Sequence, residues 1–227
     1  MTTNQDALED SENSSNSKMA PSTSFNIAVI IGSQRQPRAC PQIVAFVHDV
    51  IAQHLPPSPS INLEMVDIAA LNLPFFNEPG IPQKINDPSG YTHEHTRAWS
   101  KLVSSFDAFI FVTPQYNWGI PAGLKNAIDY LFNEWTGKPA MVVTYGGHGG
   151  DKVDAALRIV LGGGLKMKVV EHKVNLPFWG RDALYLAATG KDLGLDAQKA
   201  DGPWADMKLD IIEAWKELLR TLQQEDI

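Results

Sequence analysis

Two periods of apolar positions take turns along this chain. NIAVIIG, residues 26–32, is a continuous run of β-branched and small side chains that ends in glycine, and it reads as a strand buried on both faces. In CPQIVAFVHDVIAQHL, 40–55, the residues Ile43, Val44, Val47, Val50 and Ile51 recur at helical spacing. PPSPS breaks the chain, and INLEMVDI, 61–68, alternates as a strand does. The proline-rich ALNLPFFNEPGIPQKINDPSG, 70–90, is a long loop that precedes a helix in YTHEHTRAWSKLVSSF. DAFIFVTP, 107–114, is a second wholly apolar strand. PAGLKNAIDYLF is a helix with proline in its first turn, and KPAMVVTYGG is a strand. DKVDAALRIVLGGG is a helix stopped by glycines, and KMKVVEHKVNLP is a last strand. The closing helix, within 204–224, has Leu209, Ile212 and Leu219 on or near one face. Residues 178–203 show neither period and read as an irregular insertion.

Strands and helices in alternation, with short connections, predict an α/β fold: a doubly wound parallel sheet with helices on both faces. Five strands fit the flavodoxin-like order 2-1-3-4-5. In such a sheet a ligand sits at the carboxyl ends of the strands, where the order reverses between the first and the third. The domain runs over 25–227. Residues 1–24 are Ser, Thr or Asn at 12 positions and hold almost no large apolar side chains. They cannot bury enough surface to offset the entropy of ordering, so a disordered tail is expected there, with Met19 an alternative start.

Composition narrows the function classes. The net charge is −7, and the tail carries −3 of it, which leaves about −4 for the folded part. That balance argues against nucleic acid as the partner. No apolar run reaches the roughly 18 residues of a membrane span. The N-terminus has neither the basic and apolar regions of a secretory signal nor the arginines of a mitochondrial presequence. The chain's single cysteine, Cys40, cannot form an internal disulfide. A reducing compartment follows, and a cytoplasmic location is the expectation.

The expected topology brings three unusual loops to one rim. The first, IGSQRQPRACPQI, offers the Ser33 hydroxyl, the guanidinium groups of Arg35 and Arg38, and a helix start near Pro41 whose free N–H groups and dipole favour an anion. It is neither a Walker A loop nor G-x-G-x-x-G. Two readings stand: a site for a dianionic phosphate, or a polar surface turn with solvated arginines. The second loop, TPQYNWGIPAGLKN, places Tyr116 and Trp118 where they can cover a flat ring and Gln115 and Asn117 where they can hydrogen-bond its edge. The alternative is a packed connection with Trp118 buried or at a subunit contact. The third, YGGHGG, sets four glycines around His148. Glycines there allow close backbone approach to a ligand or positive φ, with Gly146 and Gly147 aiming N–H groups and Tyr145 stacking or bonding. His148 reads as a loop residue. A phosphate anchor, a ring platform and a glycine wall on one rim match FMN. The lack of an adenine or pyrophosphate site favours FMN over FAD.

The segments GSQRQPRACPQIV, VTPQYNWGIPAGLKNAIDYL and GKPAMVVTYGGHGG, taken together, resemble the NAD(P)H-dependent FMN reductase family, and within it the fungal quinone-reductase branch. The resemblance runs over about residues 26–175 and keeps the three loops in order and spacing. It implies tightly bound FMN and a homodimer. It also implies that Ser33, Arg35 and the turn Arg38, Cys40, Pro41, Gln42 and Ile43 hold the phosphate and ribityl end. Pro114, Gln115, Tyr116 and Asn117 would hold the isoalloxazine, with Tyr145, Gly146 and Gly147 beside it. Many members carry serine or asparagine late in the first loop, where this chain has Ala39, Cys40 and Pro41.

The expected activity is ping-pong hydride transfer from NADPH or NADH through FMN to a quinone, an azo compound or free flavin. No side chain is required as a catalytic nucleophile. Two other functions use the same residues: a flavodoxin-type electron carrier, and a redox-sensing protein that reports flavin state to a partner. Three further features have plainer readings. The HEH of 93–95 looks metallic, but residues two apart do not share a helix face, and no companion ligands accompany it. Cys40 near a helix start is a candidate for a lowered pKa, against a packing role. Trp99, Trp135 and Trp215 read as core or dimer residues.

Overall fold

The first apolar run forms β1 (Ser24–Ile31), and its alternate residues serve two different layers. Ile27, Val29 and Ile31 pack in one buried cluster with α1 (Cys40–Ala52), while Ala28 and Ile30 pack in a second cluster on the other face of the sheet. This two-sided burial is why the run carries no polar position from Ile27 to Ile31. The computed structural model describes residues 24–224. The expected disordered tail and Met19 lie outside the described residues, except Ser24, which opens β1.

Next come β2 (Ser60–Asp67), α2 (Glu94–Ser104), β3 (Ala108–Pro114), α3 (Ala122–Asp129), β4 (Pro139–Gly146) and α4 (Asp151–Arg158). Two short strands follow, β5 (Lys168–Val169) and β6 (Val174–Pro177), then α5 (Arg181–Thr189) and α6 (Lys208–Gln223). The sheet is parallel in the order β2-β1-β3-β4-β5, with β6 also paired to β4. β1 therefore lies between β2 and β3, and the order reverses there as expected. Helices α1 and α6 cover one face. Helices α2 and α3 cover the other, where Trp99 and Trp135 are buried and meet edge to face.

Four local readings change. The expected last strand is two pieces, one beside the start of β4 and one beside its end. Polar Glu171 and His172 lie between them, and their backbone N–H groups donate to the Glu217 carboxylate instead of to a ladder. Arg158 bonds the carbonyls of Val170 and His172. The glycine-ended helix is α4 continued as a π-helical turn over Ile159–Gly164. In α6 the buried stripe is Ile211, Ala214, Trp215, Leu218 and Leu222, and Leu209 is exposed. The segment 178–203 contains α5, in which only Ala183 is fully buried, so no apolar stripe announces it.

Candidate functional site

The three loops do meet at the carboxyl ends of β1, β3 and β4. Gly32 closes β1 with no room for a side chain: a Cβ there would lie 2.7 Å from the Val112 carbonyl oxygen and 2.9 Å from the Thr113 Cβ. Its N–H donates to the same carbonyl at 2.9 Å. Glycine is thus what lets the first loop leave the sheet pressed against β3.

In that loop the two arginines have separate surroundings. Arg38 is an internal brace. Its side chain is 12% exposed, it forks onto both carboxylate oxygens of Asp67 at the end of β2, and it also donates to the Ser33 carbonyl. Burial alone would raise the Asp67 pKa, but the hydrogen bonds from Arg38 and the Ala69 N–H outweigh it and hold the carboxyl below its usual range. Arg38 is held protonated in turn, chiefly by its bond to Asp67. Arg35 is exposed, and its guanidinium lies 3.9 Å from the centre of the Tyr116 ring. Among the described residues it has no ion-pair partner. Ser33 is fully buried, and its hydroxyl and that of Tyr116 are 2.7 Å apart. One hydroxyl pair and one stacked cation therefore join the first loop to the second.

Behind this surface the Cys40 thiol is buried against the Val112 carbonyl. Burial pushes its pKa up to about 11, with the Tyr145 hydroxyl offsetting part of the rise. The lowered pKa considered for it is not found, because the thiol faces the core rather than the helix N-terminus. The Cys40 thiol reaches the Tyr145 hydroxyl from the core side, while the side chains of Gln42 and Ile43 point away from the other loops. Ile43 is core, and Gln42 donates to the Lys191 carbonyl and accepts from the Leu193 N–H. Pro41 occupies the first turn of α1.

The second loop makes a tight turn in which Tyr116 and Gly119 exchange both backbone hydrogen bonds. Asn117 and Trp118 sit at φ of 48° and 63°, the signature of a type I′ turn. Trp118 is 73% exposed, which excludes the reading that buries it. The Gln115 amide oxygen accepts from the Lys152 and Val153 N–H groups and so caps α4. In the third loop the glycines divide by role. Gly149 and Gly150 take positive φ and turn the chain into α4. Gly146 and Gly147 do not, and they line a cavity instead.

That cavity, about 180 Å³, is walled by Arg35, Arg38, Pro114 to Tyr116, Tyr145 to Gly147, and by Phe178 and α5. It is smaller than the roughly 300–1,000 Å³ of most ligand pockets. Its volume is on the scale of a ring system rather than of a whole dinucleotide. Tyr145 is held well above its normal pKa, first by burial, so its hydroxyl stays a proton donor. A buried hydroxyl, a free cation, aromatic walls and a backbone edge without Cβ atoms fit FMN. Sequence reasoning missed Pro37 and Ala39 in the first loop, and Phe178, Leu184, Ala187 and Ala188, which belong to the segment without a visible period. A larger groove of about 680 Å³ lies between α1 and residues 192–198. Asp49, Asp192 and Asp196 line it, a poor setting for a phosphate.

The HEH pair behaves otherwise than its spacing implies. His93 precedes α2 in extended conformation, so its ring stacks on that of His95 at 5.2 Å, and both nitrogens reach Asn77. Among the described residues no three His, Cys, Asp or Glu side chains come together to hold a metal.

Residues 25–180 match the family model of NADPH-dependent FMN reductases. An NAD(P)H-dependent FMN reductase of Nectria sp is 40% identical over 200 residues, 87% of this chain and 97% of that protein. Another from Saccharomyces cerevisiae is 45% identical over 150 residues, 64% of this chain and 78% of that one. The solved structure of a flavoenzyme NAD(P)H:(acceptor) oxidoreductase from Paracoccus denitrificans shares the fold, with a TM-score of 0.60 at 21% identity over 87% of this chain and 98% of that one. With all three loops inside the matched span and a fungal relative aligned almost end to end, the chain belongs to the NADPH-dependent FMN reductase family, in its fungal branch.

Proposed function

We propose that this protein is an FMN-dependent oxidoreductase that takes hydride from NADPH or NADH and reduces a quinone, an azo compound or free flavin. The observation that carries the reading is the junction of the three loops. The exposed Arg35 and the Gly146–Gly147 edge line one ring-sized cavity, and the buried Ser33 hydroxyl is tied to the Tyr116 hydroxyl in its wall. Ser33 and Arg35 hold the phosphate end, because a cation and an O–H donor make charge-assisted bonds to its oxygens. Arg38 supports the loop from behind through Asp67. Pro114, Gln115, Tyr116, Asn117, Tyr145, Gly146 and Gly147 hold the ring. FMN, when bound, supplies the two-electron relay.

The protein's part is to position and to exclude water. The walls contributed by Phe178 and Leu184 are apolar, and Tyr145 stays protonated. With the FMN ring in that cavity, donor and acceptor reach it by the same mouth, which favours ping-pong order. The exposed Trp118 supports a homodimer, since a large apolar ring at a strained turn tip gains most by being covered. No helix among the described residues is long and apolar enough to cross a membrane. A single cysteine, with no internal disulfide to form, fits a reducing compartment such as the cytosol. The purified protein is expected to be yellow and to release FMN on heating. Double-reciprocal plots with NADPH and a quinone are expected to be parallel. A colourless protein that takes up no FMN would refute the reading.

A further inference from the structure

The segment without a visible period supplies one wall of the cavity. Phe178, Leu184, Ala187 and Ala188 line it together with the three loops, and the last three lie beyond residue 180, where the family match ends. Leu184 reaches the glycine edge: a Cβ added to Gly147 would lie 3.8 Å from its Cδ2 and 4.0 Å from its Cδ1. Its side chain is nevertheless 41% exposed, so it stands at the mouth of the cavity and not in packed interior.

The helix that carries it is lightly held. Gly180 and Gly190 bound α5 at φ of 149° and 66°, conformations that side chains other than glycine rarely adopt. Among the described residues, no side chain of Arg181–Thr189 makes a hydrogen bond or ion pair outside the helix. Thr189 bonds only the carbonyls of Tyr185 and Leu186. Docking rests on the buried Ala183 and on Leu186 and Ala187 against the core. Small apolar contacts without polar ties mark an element of low local stability. The chain just beyond it is pinned to α1 by Gln42.

We propose that Leu184 is a specificity-determining residue for the second substrate: it narrows the mouth so that single-ring acceptors enter and fused polycyclic acceptors are held out. This rests on the oxidoreductase reading above. A leucine against a glycine edge is the arrangement in which removing a few methyl groups changes the accessible width most. Discrimination by one methylene in an apolar pocket is worth roughly 10–200-fold.

The test compares the FMN-loaded wild type with Leu184→Ala and Leu184→Phe. Tyr185→Ala, at a position 60% exposed and off the cavity, is the control. Flavin content is read first from absorbance. A wild type without flavin overturns the oxidoreductase reading itself and is seen before any acceptor is added. With flavin bound, kcat/KM is measured for a benzoquinone and for phenanthrenequinone. Binding of phenanthrene sulfonate, which accepts no electrons, is followed through the flavin spectrum. Leu184→Ala is expected to raise the phenanthrenequinone-to-benzoquinone ratio about tenfold and to tighten phenanthrene sulfonate to a similar degree. Leu184→Phe is expected to lower both, and Tyr185→Ala to change neither. Ratios and dissociation constants within about twofold of wild type in both Leu184 variants, at full flavin content, overturn the proposal.

Discussion

Arg35 and Arg38 show how one residue type divides its work over three positions. Arg38 spends its fork on Asp67 and becomes scaffold, while Arg35 rests on the Tyr116 ring with its donors toward solvent. Arg35→Ala is therefore expected to weaken FMN binding about 10- to 100-fold, the range of a charge-assisted bond, with little change in fold stability. Titration of apo-protein by flavin fluorescence quenching reads this, and an unchanged dissociation constant would remove Arg35 from the anchor. Asp67→Asn acts on stability instead, by about 1–3 kcal/mol, since it leaves a largely buried guanidinium with a weaker partner. The Asp67 pKa is depressed in the folded state, so the bridge contributes fully above about pH 4 and is lost as pH falls below that. Urea midpoints measured from pH 7 down to pH 3 should fall for the wild type and converge on those of Asp67→Asn. Parallel curves would show that the bridge does not carry the acid sensitivity. The phosphate role of Arg35 was read from the sequence, but the division between the two arginines was not, because both occupy the same loop and their partners lie 29 and 81 positions away.

At the scale of elements, legibility followed burial. β3 is buried at every residue, β1 is apolar and buried from Ile27 on, and α1 shows an unbroken apolar stripe. β5, β6 and α5 are short or poorly buried, and what decides them is tertiary: Arg158 and Glu217 hold the break between the strands, and a cavity wall sets the helix. Gly32 was visible only as the end of a strand, whereas its need for close approach depends on β3 lying alongside. Gly32→Ala is expected to cost about 1–3 kcal/mol through overpacking against Val112 and Thr113. It should also loosen the first loop, so thermal melting and FMN affinity should fall together. A variant that melts like the wild type would mean that β1 and β3 part easily there. The rim of three loops was the most legible part of the site, because topology alone places the ends of β1, β3 and β4 together.

For the molecule as a whole, Trp118 separates the stability of one chain from its association. An exposed tryptophan at φ 63° costs backbone strain that glycine would not, so Trp118→Gly should stabilise the single chain by about 1 kcal/mol. If the ring is covered in a dimer, sedimentation equilibrium should show the same variant associating more weakly. Unaltered association with raised stability would place the subunit contact elsewhere. The divided strand has a consequence of this global kind. A long, straight strand at the margin of a sheet exposes a row of unpaired N–H and C=O groups on which another chain can add itself. Here that margin is two residues of β5 and four of β6, with Glu217 and Arg158 already occupying the backbone groups between them. Among the described residues this side of the sheet offers no template long enough to nucleate aggregation, a protection written into the break itself.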